Sequence, residues 1–391
     1  MAHILLGWEY GGGSGHTRKL VQIAERLKES GHRVSYALKQ VGSIGLDRTQ
    51  GAAVLPTPQF PNALAPMPKR KRRPHHTLGD IFVALGLGDP AATAAVLSSW
   101  RDLLKAAKPD IVVAEYAPTL LLAARGRYPT VATGTGFSLP PAAMPRFPSL
   151  TGKPPTFNEA NTLAAVNKAL ERLGDEPLES LPAIYAATRS VVASFPELDH
   201  YRQWRKEPRV APTIPVPRPE PSSGEGEEVF VYSSTVPNPE AAIWKALEAS
   251  KLPVRIYLPG IGPPYRGKLE ARGFKVEPRP LSFPEIGKRS RILLSHGGCG
   301  FVSSGLLTGL PQVVCHLDLE KMMQGRAVKR LGIGGFVAMR NIKPEPFAEN
   351  LRKIWHNDNI RNRARNLAAT VAAREQPEME ASIAAAVEEL A

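Results

Sequence analysis

Two histidines stand where the chain turns from an apolar run into a glycine loop and then a helix. His296 opens His296-Gly297-Gly298-Cys299-Gly300, after the apolar run 291–295 and before the small-residue segment 301–309. That order reads as buried strand, tight turn and helix start. A helix start offers unpaired N–H groups and a positive dipole end, and glycines let a ligand approach them. The expected chemistry is diphosphate binding with a histidine beside it. His16 closes a second loop, Gly11-Gly12-Gly13-Ser14-Gly15. No Lys precedes Thr17, so this is not a phosphate-cradling P-loop. Lys39 and Gln40 stand where a dinucleotide site would need an acid.

A helix N-terminus disfavours imidazolium, so His16 is expected neutral and able to accept a proton. A turn or cap role is the alternative. Glu115 ends the apolar strand 110–114 and is placed to bond one His16 nitrogen, fixing its tautomer. Glu9 competes for that role. A solvated strand-end acid or a supporting salt bridge remains the other reading of Glu115.

These side chains need a scaffold of alternating strands and helices. Residues 3–7, 33–38, 110–114, 130–132 and 190–194 read as strands of one half. The helix 17–30 carries Leu20, Ile23, Ala24 and Leu27 on one face and stops at Gly31. Six prolines lie in 208–221, followed by Ser222-Ser223-Gly224. The pattern then restarts with strands at 229–232, 254–258, 274–276, 292–294 and 312–315, and a helix over 239–250. The fold class is α/β, with two doubly wound Rossmann-like domains expected to face across a cleft. The expected boundaries are 1–207, a linker 208–226, a domain 227–365, and a C-terminal helix 366–391 that returns to the first domain.

The chain has 391 residues, a formal charge of +14 and only two cysteines, Cys299 and Cys315. A disulfide framework and a zinc site are therefore not expected, nor is a membrane span or a secretion signal. The expected location is cytoplasmic, with a peripheral place at the inner membrane face as a variant. The excess positive charge favours anionic partners. Its densest run is Lys69, Arg70, Lys71, Arg72 and Arg73. That run is a solvated loop or a contact to an anionic membrane surface or acidic acceptor. Nucleic acid is not expected, because no aromatic-interleaved basic pattern accompanies it. The oligomeric state is expected to be monomer or homodimer.

Beyond His296 come Gly309-Leu310-Pro311-Gln312, then Glu320-Lys321, then Leu331-Gly332-Ile333-Gly334. Together with Gly12-Gly13-Ser14-Gly15-His16, this spacing resembles family 1 glycosyltransferases of the GT-B fold, over both halves. The likeness is strongest to the bacterial members that modify small molecules. It implies an inverting, metal-independent transfer of a hexose from a UDP- or dTDP-sugar to a hydroxyl of a small-molecule or lipid acceptor. No cofactor is implied beyond that co-substrate, and no Asp-x-Asp metal motif occurs.

By the same resemblance His16 is the base and Glu115 its partner. His296, Ser233, Ser234 and the backbone of Gly298, Gly300, Phe301 and Val302 hold the diphosphate. Segment 279–284, with Leu281 and Ser282, borders the nucleobase. Gly15, Glu320 and Lys321 meet the donor sugar; Glu9, Tyr10 and Phe137 meet the acceptor. Three positions depart from the family pattern: Phe301 replaces a small hydroxyl residue, Ser304 a ribose-binding Glu, and Lys321 a Gln. The rival readings are a nucleotide-sugar epimerase on the same fold and a non-catalytic nucleotide-sugar or lipid-binding protein.

Overall fold

The computed structural model describes every residue except Gly13, 65–72, Val216 and Pro239. The basic run therefore lies outside the described residues apart from Arg73, whose guanidinium stands 5.9 Å from the Phe157 ring centre. The chain divides into two compact units, Met1–Ala211 with Pro377–Ala391, and Pro212–Gln376.

The first unit is built on a seven-stranded parallel sheet. Its strands are β1 (His3–Trp8), β2 (Arg33–Leu38), β3 (Val54–Pro56), β4 (Ile111–Glu115), β5 (Thr130–Thr135), β6 (Arg189–Ala193) and β7 (Arg209–Val210), in the order β3-β2-β1-β4-β5-β6-β7. Every residue of β1, β4 and β5 is buried, which is why these strands read as continuous apolar runs rather than alternating ones. The helix Ser14–Glu29 buries Leu20, Ile23, Ala24 and Leu27 in the core beside Ile4 and Leu6. Gly31, at φ 83°, ends it as His32 N–H donates to the Leu27 carbonyl. Residues 78–107 form two helices, Leu78–Leu85 and Pro90–Ala107, separated at Gly86 and restarted by the Asp89 cap.

The second unit holds a six-stranded parallel sheet: β8 (Glu228–Tyr232), β9 (Val254–Tyr257), β10 (Lys275–Val276), β11 (Ser290–Ser295), β12 (Gln312–His316) and β13 (Gly334–Ala338). Their order is β10-β9-β8-β11-β12-β13. The helix expected from 239 begins at Ala242. Each sheet reverses its order once, between β1 and β4 in the first unit and between β8 and β11 in the second. Outside the carboxyl ends of strands at such a reversal is where open α/β sheets bind ligands.

Two boundaries differ from expectation. The proline-rich segment 208–226 is not a free linker. Its Arg209 and Val210 form β7, held by Asp199, whose buried carboxylate accepts from Arg205 Nε at 2.6 Å and Arg209 Nε at 2.8 Å. Ser222, further along, is fixed to the second unit by its N–H to the Thr308 carbonyl and its hydroxyl to the Gly287 carbonyl. The expected returning helix 366–391 is divided. Helix Asp358–Ala372 stays in the second unit, where Gly309 lies against Ala368 and Arg365. Helix Met379–Glu388 joins the first, burying Met379, Ile383 and Val387 with Leu27, Val131 and Val191.

Asp199 and Arg205 have side chains 0% and 1% exposed, so replacing Asp199 leaves the Arg205 guanidinium buried without its close countercharge. Asp199→Asn is expected to cost about 3–5 kcal/mol of stability, read as a lower denaturant midpoint.

Candidate functional site

In the first unit, β1 and β4 are hydrogen-bonded neighbours with Trp8 opposite Glu115. The chain leaves β1 through the glycine loop and enters the helix Ser14–Glu29, whose first turn carries His16. That geometry brings His16 Nδ1 to 2.6 Å from Glu115 Oε2. The ring is stacked on Trp8 at 5.1 Å and lies 6.1 Å from Tyr116. Gly11, at φ 83°, passes so close that a Cβ there would stand 2.5 Å from His16 Nε2. Lys39 Nζ pins this loop by donating to the Gly11 carbonyl at 2.9 Å.

Glu115 is 0% exposed. Burial alone would raise its pKa, but His16 and then Lys19 outweigh it and hold the carboxyl at about 2, below its ordinary 4.5. An ionised carboxylate only accepts hydrogen bonds. His16 Nδ1 must therefore carry a proton, which leaves Nε2 as the ring nitrogen directed away from the carboxylate. Lys19 donates to the second carboxylate oxygen, Oε1, at 2.5 Å. Sequence reasoning missed Lys19 and Trp8. The signal for Lys19 was its place three residues after His16, on the same helix face.

The competitor, Glu9, is turned away. Its carboxylate accepts from the Thr119 N–H at 3.0 Å and from the Thr119 hydroxyl. Burial raises its pKa to about 7, against the lowering effect of Thr119 and Tyr10. Glu9 is 2% exposed, so the acceptor contact expected of it is corrected to a buried tie between β1 and the helix Pro118–Ala124. Phe137 is likewise corrected: it is 2% exposed and packs edge-on against His200. Tyr10 lies among aromatic rings, 5.5 Å from Phe82 and 5.9 Å from Tyr116. Gly15 is exposed in the first helical turn.

In the second unit, the corresponding reversal places Ser233 and Ser234 after β8 beside His296 after β11, with Tyr232 opposite Ser295. Gly297 sits at φ 92°, and a Cβ there would meet Val314 at 2.7 Å and the Lys321 carbonyl at 3.0 Å. Only glycine makes that turn. Gly298 then caps the helix Cys299–Thr308 without a capping side chain, leaving first-turn N–H groups for a ligand. Val302 is a correction: its N–H donates to the Gly298 carbonyl at 3.0 Å. His296 Nε2 lies 3.2 Å from Ser234 Oγ. Burial, then Lys321, lower its pKa to about 4. His296 is thus neutral at pH 7 and offers hydrogen bonds rather than charge.

Other expected contacts are already committed within the protein. Ser233 donates to the Thr235 carbonyl at 2.6 Å. Ser282 caps the helix Phe283–Arg289 in a reciprocal pair with Glu285. Ser304 is 0% exposed and donates to the Gly300 carbonyl at 2.8 Å. Phe301 stacks on Tyr232 at 4.8 Å and faces Phe283 at 5.3 Å, with Leu281 packed on the same cluster. Lys321 Nζ pairs with Glu320 at 2.7 Å. Burial lowers the Lys321 pKa, but Glu320 and Asp318 more than reverse that. Among the described residues, no set of three or more His, Cys, Asp or Glu is grouped to hold a metal ion.

Residues 287–390 match the family model for the erythromycin biosynthesis protein CIII-like C-terminal domain. No curated protein matches the chain by sequence. Among solved structures, CalG4, the calicheamicin glycosyltransferase, is 20% identical with a TM-score of 0.69, over 100% of this chain and 98% of that one. The Streptomyces sp. SF2575 glycosyltransferase SsfS6, complexed with thymidine diphosphate, is 18% identical with a TM-score of 0.58 and full coverage of both chains. Spinosyn rhamnosyltransferase SpnG, complexed with thymidine diphosphate, is 15% identical with a TM-score of 0.59, over 98% of this chain and 99% of that one. The chain has the GT-B fold of these natural-product glycosyltransferases.

Because its folded pKa is depressed, Glu115 contributes stability that is present above about pH 4.5 and lost as pH falls towards 2. Between pH 5 and pH 2 the parent is expected to lose on the order of 3 kcal/mol more than Glu115→Gln. Denaturant titration of both proteins across that window measures the difference.

Proposed function

We propose that this chain is an inverting glycosyltransferase that moves a hexose from a nucleoside-diphosphate sugar to a hydroxyl of a small-molecule acceptor. The observation that carries the reading is the His16–Glu115 pair. With its Nδ1–H fixed on the Glu115 carboxylate, the imidazole has Nε2 as its only nitrogen able to accept a proton. His16 Nε2 takes the acceptor's hydroxyl proton as its oxygen bonds the anomeric carbon. The bond from that carbon to the donor's phosphate oxygen breaks on the opposite face, so one displacement inverts the configuration.

The leaving diphosphate is stabilised by first-turn N–H groups of the helix Cys299–Thr308 and by hydrogen bonds from Ser234 and His296. Charge on the phosphates is met by the helix N-terminus, since His296 is neutral. No metal is required by this scheme. Glu320, the acid expected near the donor sugar, is paired by Lys321. That neutral pair favours an uncharged sugar over a uronate, and it leaves little of the acidic surround that an epimerase reading needs.

The nucleotide is proposed to be thymidine diphosphate rather than UDP. At the position where the family likeness places a ribose contact, the Ser304 hydroxyl is buried and already donates to the backbone. A deoxyribose loses no partner there. SsfS6 and SpnG are both complexed with thymidine diphosphate.

His16→Ala is expected to reduce transfer from a dTDP-sugar roughly 100- to 10,000-fold while leaving thymidine diphosphate binding intact. For both proteins, nucleotide at 100 times its dissociation constant should add about 2.7 kcal/mol in a thermal-shift series. Undiminished transfer by His16→Ala would remove the base assignment, and binding without any transfer by the parent would favour the non-catalytic reading.

A further inference from the structure

We propose that Lys19 is a positioning residue for His16, acting through the shared Glu115 carboxylate to keep the imidazole a free base at neutral pH. The inference rests on the glycosyl-transfer reading only for its kinetic arm.

The two oxygens of Glu115 are divided between two partners. Oε2 faces His16 Nδ1 at 2.6 Å and Oε1 faces Lys19 Nζ at 2.5 Å, with the Glu115 side chain fully buried. Lys19 is itself only 8% exposed. A buried carboxylate with a single histidine partner strongly favours the imidazolium, because one buried charge is then neutralised by the other. That arrangement protonates the very nitrogen the reaction needs. The Lys19 ammonium supplies the balancing charge on the opposite side of the carboxylate. Glu115 then stays ionised and keeps its grip on Nδ1–H, without drawing a second proton onto Nε2.

The helix makes this possible. His16 and Lys19 are three residues apart and share a face, so one carboxylate ending β4 spans both. The remaining polar groups near the ring are placed differently. Tyr116 follows β4, and its ring is 6.1 Å away. Lys39, after β2, spends its ammonium on the Gly11 carbonyl. Glu9, at the end of β1, is turned onto Thr119. Trp8 contributes a stacked ring and no charge to the imidazole. Among the described residues, Lys19 is therefore the cation that sets the charge balance of the pair.

The test follows the His16 ring by nitrogen-15 NMR across a pH series in the full chain, for the parent, Lys19→Met, Lys19→Arg, Glu115→Gln and Glu115→Gln/Lys19→Met. Lys19→Met is expected to raise the His16 titration midpoint by about one pH unit or more. Lys19→Arg should restore the parent midpoint. With Glu115→Gln in place, adding Lys19→Met should not raise the midpoint further. The acid limb of kcat/KM should move up by the same amount in Lys19→Met, with activity recovering at higher pH. An unchanged midpoint in a folded Lys19→Met protein overturns the proposal. So does an upward shift that persists on the Glu115→Gln background, because Lys19 would then not act through the carboxylate. If the parent transfers no sugar, the NMR arm still decides the role of Lys19, and only the catalytic reading fails.

Discussion

A fully buried carboxylate has to be compensated wherever it occurs, and the first unit is organised around compensating Glu115. Its cost in a low-dielectric interior is met only because β1 and β4 are adjacent, the helix after β1 starts immediately, and two cationic or proton-donating side chains lie one helical turn apart. Each of those conditions is a property of the backbone. The reversal of strand order opens the space, the glycine loop lets the chain turn tightly, and the helix sets the spacing. The side-chain chemistry follows from that frame.

The second unit solves a different electrostatic problem with little side-chain charge. His296 is desolvated and neutral, Lys321 is neutralised by Glu320, and Ser233, Ser282 and Ser304 hydrogen-bond within the protein. What remains for an anion is a helix N-terminus approached through glycines and the exposed Ser234. An anion placed there would meet fixed backbone dipoles, and beside it lies an apolar wall of Tyr232, Phe301 and Phe283.

The strand–glycine–helix junctions at His16 and His296 were legible in the sequence because glycine and apolar periodicity are local signals. So was the alternation that implies parallel sheets. The sharing of Glu115 by Lys19 was hidden, since a lysine on a helix reads as solvated until the strand facing it is known. Glu9 and Phe137 looked available from sequence and are buried, because exposure depends on what the following helix and loop pack against. Strand β7 was hidden for a related reason. Two residues among many prolines carry no periodicity, and their place is set by Asp199. Val302 illustrates a limit of motif reading: the motif marks the helix start but not which N–H the helix itself uses.

The return of Pro377–Ala391 to the first unit has a bearing on the order of synthesis. A ribosome completes 212–376, the whole second unit, before it makes the helix that closes the first unit's core. At 5–20 residues per second that interval is roughly ten to thirty seconds. Throughout it, Leu27, Val131 and Val191 lack the cover that Met379, Ile383 and Val387 later provide. The nascent first unit thus carries an open apolar face while its neighbour folds, the kind of surface that binds holdase chaperones. Folding of the first unit is tied to translation of the second, although the two have separate cores.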